Sequence, residues 1–158
     1  MAWRTLVAAS ALITDADRVL LIRQRRGAKT SLELPGGYLD ANESLEEAAG
    51  REAKEEAGID VLVGKLAFTI MWHRAADERS NFIAVFEAVP APGEWLLTPQ
   101  EAEGIESAEF VPRAQIDLQD LHHMYQEPMR RWLHPADDSP AHWIFDCALD
   151  GSVNARDQ

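Results

Sequence analysis

Residues 37–59 read GYLDANESLEEAAGREAKEEAGI. Ser44 stands where a helix would begin, and Glu47 follows three residues later as the reciprocal partner of a capping box. Gly58 supplies the stop, because it enters the left-handed backbone conformation that ends helices without a Cβ penalty. A helix of about 14 residues is predicted between them. At roughly 100° per residue, Leu45, Ala48 and Ala49 share one face, and that face runs on to Glu52 and Glu56 with Glu55 beside them. Carboxylates therefore stand where a core stripe would place Leu or Val. Neighbouring carboxylates repel one another and burial raises the cost of ionising each, so the group needs compensation. A divalent cation supplies it most economically, and hard oxygen ligands suit magnesium or manganese. The other reading is a solvated acidic face with Arg51 and Lys54 as salt-bridge partners.

Spacing distinguishes the two. Gly37 is followed after five residues by Glu43, after seven more by Arg51-Glu52, and then by Ala53, Lys54, Glu55-Glu56, Ala57 and Gly58-Ile59. With Leu34-Pro35-Gly36 in front, the stretch resembles an unbroken Nudix box, G-x5-E-x7-R-E-U-x-E-E-x-G-U with U apolar. The resemblance covers roughly residues 4–134; downstream, GIESAEFVP is similar to the family's return strand. It implies an α/β (α+β) class fold, an α/β/α sandwich around a mixed β-sheet. It also implies a pyrophosphohydrolase acting on phosphoric anhydrides, which cleaves a nucleoside diphosphate linked to another group.

Carried over onto this chain, the resemblance makes Glu52 and Glu56 the main metal ligands. Glu55 completes or shares that site, the Gly36 carbonyl adds an oxygen, and Gly37 lies beside the substrate. Magnesium is the implied cofactor, with manganese as a substitute. Arg51 keeps its proton at working pH, so its implied task is to orient Glu43 and the other glutamates. The general base is Glu55 or, from the loop before the return strand, Glu103 or Glu106; a solvated acidic loop is the alternative for the latter pair.

Outside the box, residues 3–14 and 18–25 are predicted strands joined by an Asp15-Ala16-Asp17 turn, and residues 60–73 and 80–90 form another pair. Arg23 and Arg25 share a strand face with Val19 and Leu21, where an arginine could grip a substrate phosphate or simply meet solvent. Trp72 is either a stacking surface for a base or a core residue. Gly36-Gly37 is expected to be a turn, Glu109–Pro112 a short strand and Ile116–Leu133 a second helix. The family's substrate markers are absent: no SQPFP-like stretch follows the box, and WHRAAD stands where many ADP-ribose hydrolases carry a proline. Nucleoside triphosphates, nucleotide sugars and ADP-ribose all stay open as substrates.

Composition sets limits on all of this. The chain has 158 residues, 46% of them hydrophobic, and no linker-like run, which predicts one domain over 1–158 with a core at about 4–134 and a C-terminal extension at 135–158. A formal charge of -12 leaves no basic stripe for a nucleic-acid polymer, so a small nucleotide is the expected partner. The apolar opening MAWRTLVAASALIT runs into a turn and a second strand, which favours a hairpin over a signal peptide. No run approaches the length of a membrane span. One cysteine, Cys147, fits a reducing compartment, and a cytoplasmic location is expected. Trp143, Ile144 and Phe145 are too apolar to leave in water and should pack on the domain or in a homodimer, while GSVNARDQ should fray. The competing function is a non-catalytic nucleotide-binding or sensor module of the same fold.

Overall fold

The computed structural model describes residues 2–136 and 141–156. Ser44 and Glu47 form both halves of the capping box: the Glu47 N–H donates to Ser44 Oγ (3.1 Å) and the Ser44 N–H to Glu47 Oε2 (2.8 Å). Helix α1 (Leu45–Ala57) starts from that pair and ends at Gly58, whose φ is +76°. Ser44→Ala should cost about 1 kcal/mol. A denaturant midpoint lowered at unchanged slope would register that loss.

Among the described residues, nine strands form one curled, mixed sheet: β1 (Arg4–Asp15), β2 (Arg18–Arg26), β3 (Lys29–Glu33), β4 (Gly36–Tyr38), β5 (Val61–Arg74), β6 (Arg79–Pro90), β7 (Ile105–Pro112), β8 (Ala141–Cys147) and β9 (Val153–Ala155). Along one stretch the order is β4-β1-β6-β5-β8-β9, with β1 parallel to β6 and β5 parallel to β8. The β1–β2 hairpin then leads into a ladder of β3, β2 and β7. Alternation along β1 and β2 builds a core on each face. Ala8, Leu12, Val19 and Leu21 pack with Tyr125 and Met129 of α2 (His123–Leu133), while Ala9, Ala11, Ile13, Leu20 and Ile22 pack with Ala48, Ala49, Ala53 and Ala57 of α1. The two helices thus lie on opposite faces of the sheet.

Four expectations are revised. The second helix begins only at His123, because Leu121 bridges to Leu32 and the His122 N–H donates to the Leu32 carbonyl (2.9 Å), pinning the preceding segment to β3. Asp117 instead caps a short 3₁₀ turn through the Gln119 N–H (2.9 Å). Gly36 and Gly37 are strand residues pairing Ser10 and Ala9, and their φ angles are not positive. The short strand expected at Glu109–Pro112 begins four residues earlier, at Ile105, and so spans all but the first residue of the GIESAEFVP stretch. Val153–Ala155 is paired with β8, and an Arg156–Asp146 ion pair holds it there. Residues 137–140 and 157–158, parts of the expected extension and tail, lie outside the described residues. Among the described residues, no helix is long and apolar enough to cross a membrane.

Candidate active site

The turn of the stripe toward Glu52 and Glu56 has the predicted result: both are buried, at 7% and 6% exposure, on the inward side of α1. Burial pushes both carboxyls upward, Glu56 to about 8. The Gly36 N–H donates to Glu56 Oε2 (2.8 Å), which opposes the rise but does not cancel it. The nearby charges of Glu52 and Glu103 push Glu56 the same way as burial does. Strand β4 meets the carboxylates closely. A Cβ on Gly37 would lie 2.5 Å from Glu52 Cδ, and one on Gly36 would lie 2.8 Å from the Ala9 carbonyl oxygen. The two glycines are therefore required by space rather than by backbone angle.

Arg51 joins the cluster. Its Nε and Nη2 donate to the two oxygens of Glu43 (2.8 and 3.0 Å), Nη2 also reaches the Tyr38 carbonyl (2.9 Å), and Nη1 is shared between Glu52 Oε1 (2.7 Å) and Glu55 Oε2 (3.0 Å). These bonds raise the Arg51 pKa, and the guanidinium holds Glu43 below the usual carboxylate range. Glu55 is nearly half exposed, unlike its neighbours, and so faces approaching solvent. Among the described residues no three acidic, histidine or cysteine side chains already surround a single point. The donor set itself consists of hard oxygens, two of them on buried carboxylates whose ionised form lacks sufficient partners, and such a set fits magnesium or manganese.

The two loop candidates diverge. Glu103 lies in a 3₁₀ turn anchored by Gln24 Nε2, which donates to the Glu103 carbonyl (2.8 Å), and its charge is felt by Glu52 and Glu56. Glu106 is tied to Arg25 in an ion pair.

A cavity of about 540 Å³ opens beside Gly36 and Gly37. Trp72, Ala8 and Ile83 are on its sheet side, His122 and Tyr125 come from the α2 end, and Arg26 and Lys29 stand at the β2–β3 turn. Trp72 is 8% exposed and belongs to the core cluster as well, its ring 5.6 Å from His122 and 5.7 Å from Phe145. Tyr125 and Ser10 share a hydrogen bond of 2.9 Å at the base, and burial raises the Tyr125 pKa and lowers that of His122. Arg23 and Arg25 do not line this cavity; Arg26 does, braced by buried Glu33. The register shift opposite Arg23 and Gln24 lies in β7, where Glu106 is the extra residue, while β2 pairs with β3 without a break.

A family model for the NUDIX domain matches residues 4–134. Over 92 residues the chain is 30% identical to the NAD-capped RNA hydrolase NudC of Stutzerimonas stutzeri, covering 58% of this chain and 32% of that protein. Over 54 residues it is 39% identical to the ADP-ribose pyrophosphatase of Methanocaldococcus jannaschii, covering 34% and 32%. The matches thus span about a third of the length of these curated relatives. The crystal structure of the MutT protein from Bacillus halodurans superposes with a TM-score of 0.75 at 23% identity, over 96% of each chain. That likeness is one of fold.

Proposed function

We propose, from the premise that this chain belongs to the NUDIX family, that it hydrolyses the P–O–P bridge of a nucleoside diphosphate linked to a further group. The observation that carries the reading is the pair of buried carboxylates, Glu52 and Glu56, set against Gly36-Gly37 at the edge of a nucleotide-sized cavity. Water attacks one bridge phosphorus, the bond from that phosphorus to the bridging oxygen breaks, and a nucleoside monophosphate leaves with a phosphorylated partner. A bound magnesium or manganese ion would neutralise the diphosphate and acidify the attacking water. Glu52, Glu56 and Glu55 would hold it, with the Gly36 carbonyl.

Each remaining residue has a task that follows from its place. Arg51 fixes Glu43, Glu52 and Glu55 in one arrangement. Glu55, the solvent-facing member, accepts the proton from water. Arg26 and Lys29 attract the anionic end of the substrate at the cavity mouth, and Trp72 offers a face to the base. The net charge of -12 supports a small nucleotide over a polymer. The activities for which NudC and the ADP-ribose pyrophosphatase are named favour substrates with a second group beyond the diphosphate.

A panel of nucleoside triphosphates, nucleotide sugars, dinucleotides and ADP-ribose, assayed with magnesium and with EDTA, tests this. Magnesium-dependent release of a nucleoside monophosphate is expected. Binding without turnover across the panel would instead identify a nucleotide-binding module. Glu55→Gln should lower kcat by about 10²- to 10⁴-fold, the usual contribution of a general base, whereas Glu103→Gln should cost much less. The reverse order would transfer the proton-accepting role to Glu103.

A further inference from the structure

Strands β8 and β9 lie beyond residue 134, where the family match stops, yet they close one end of the cavity. Parallel pairing with β5 sets Phe145 opposite Trp72 and Cys147 opposite Arg74, and β9 returns to set Val153 opposite Cys147. Paired residues of neighbouring strands point to the same side of a sheet. Cys147, Gly151 and Val153 accordingly line the cavity alongside Trp72 and Arg74. The hairpin is held in place: Phe145 is buried against the Trp72 ring, Arg156 Nη2 donates to Asp146 Oδ1 (2.7 Å), and the Ala148 N–H donates to the Ser152 carbonyl (2.9 Å) across the turn. At the opposite end of the cavity stand Gly36 and Gly37, beside the carboxylates.

We infer that the β8–β9 hairpin is the specificity wall for the nucleoside half of the substrate. This rests on the cavity being the nucleotide site. The diphosphate is held at the Gly36-Gly37 end, so the nucleoside crosses Trp72 and its far edge meets Cys147 and Val153. The wall offers that edge an apolar surface, and Arg74 beside it offers only donors. The hairpin therefore limits the size of the nucleoside.

Cys147, the only cysteine in the chain, reports directly on the wall. Its alkylation by iodoacetamide is followed by mass in wild-type protein with magnesium, in the presence of α,β-methylene adenosine diphosphate, its guanosine counterpart, or inorganic diphosphate. At least one nucleoside analogue should slow alkylation about fivefold, since a pocket ligand covers most of the surface it touches, and inorganic diphosphate should not. Val153→Trp should raise KM for the best panel nucleotide by about tenfold or more, the effect falling on KM rather than kcat, while Val153→Ala moves KM much less. Nucleotide hydrolysis with alkylation equal under all three ligands overturns the wall and leaves the hydrolase reading standing. If no nucleotide is hydrolysed at all, the hydrolase reading falls and takes the wall with it.

Discussion

Glu56→Gln is expected to remove nearly all metal-dependent turnover while making the metal-free fold more stable above neutral pH. The loss of turnover should be about 10²- to 10³-fold or greater, the scale set by removing one preorganised electrostatic group from a reaction centre. The gain in stability follows from burial. Glu56 titrates near 8 in the folded protein against an ordinary 4.5, chiefly because burial disfavours its charge. Between those values the folded chain holds a proton that the unfolded chain has released, so the stability this group contributes is full below about pH 4.5 and is lost as pH rises through about 8. Glu52 shifts in the same direction for the same reason.

Glutamine stays neutral throughout and keeps an oxygen for the Gly36 N–H. Metal-free melts in EDTA should therefore show wild type falling relative to Glu56→Gln between pH 5 and 8.5, by about 1–2 kcal/mol after allowing for charge shared with Glu52. Added magnesium should raise the wild-type melting temperature more at pH 8.5 than at pH 6, because the ligands must be ionised to bind it. A wild-type protein whose metal-free stability is flat over this range would mean that Glu56 is ionised and solvated at neutral pH.

Gly37→Ala should separate activity from stability, and Gly36→Ala should not. The new Cβ at Gly37 would fall on the carboxyl end of Glu52, the far end of a flexible side chain, which swings aside at little cost to the fold. The displaced group is one of the two buried carboxylates, so turnover should fall by about 10²-fold, as a displacement of about 1 Å at a reacting centre does. At Gly36 the Cβ meets Ser10 and the Ala9 carbonyl, part of the β1 backbone, which cannot move alone. That variant should lose about 1–3 kcal/mol as well as activity, the usual cost of overpacking. Thermal melts alongside the nucleotide assay distinguish the two. Equal destabilisation by both would show that β4 and α1 cannot adjust independently.

The parts of the site legible in the sequence are those fixed by neighbours in the chain. The capping box of Ser44 and Glu47 and the Gly58 stop depend on residues within one helix turn, and the helical period alone turns Glu52 and Glu56 inward. What escaped depends on distant partners. Gly36 and Gly37 look like turn residues until Ser10 and Glu52 are brought against them. The onset of α2 is delayed by pairing with Leu32, a residue about 90 positions earlier, and no local propensity reports such a contact. Alternation points to Arg23 and Arg25, whereas Arg26, at the end of β2, lines the cavity in an ion pair with Glu33 of the facing strand β3. Lys29–Glu33 is polar at its start and is a strand only because β2 pairs with it. The apolar cluster at Trp143–Phe145 was legible as something that must pack, but its partner, β5, was not.

Hydrolysis of the best panel nucleotide in ¹⁸O-labelled water, with phosphoryl products weighed for wild type and Glu56→Gln, tests the central claim most directly. Water attack on a bridge phosphorus predicts one label in one of the two phosphorylated products, in magnesium only, and almost none with Glu56→Gln. Label outside the phosphoryl groups, or equal turnover in EDTA and in the variant, would contradict a metal-dependent phosphoric anhydride hydrolase built on Glu52 and Glu56.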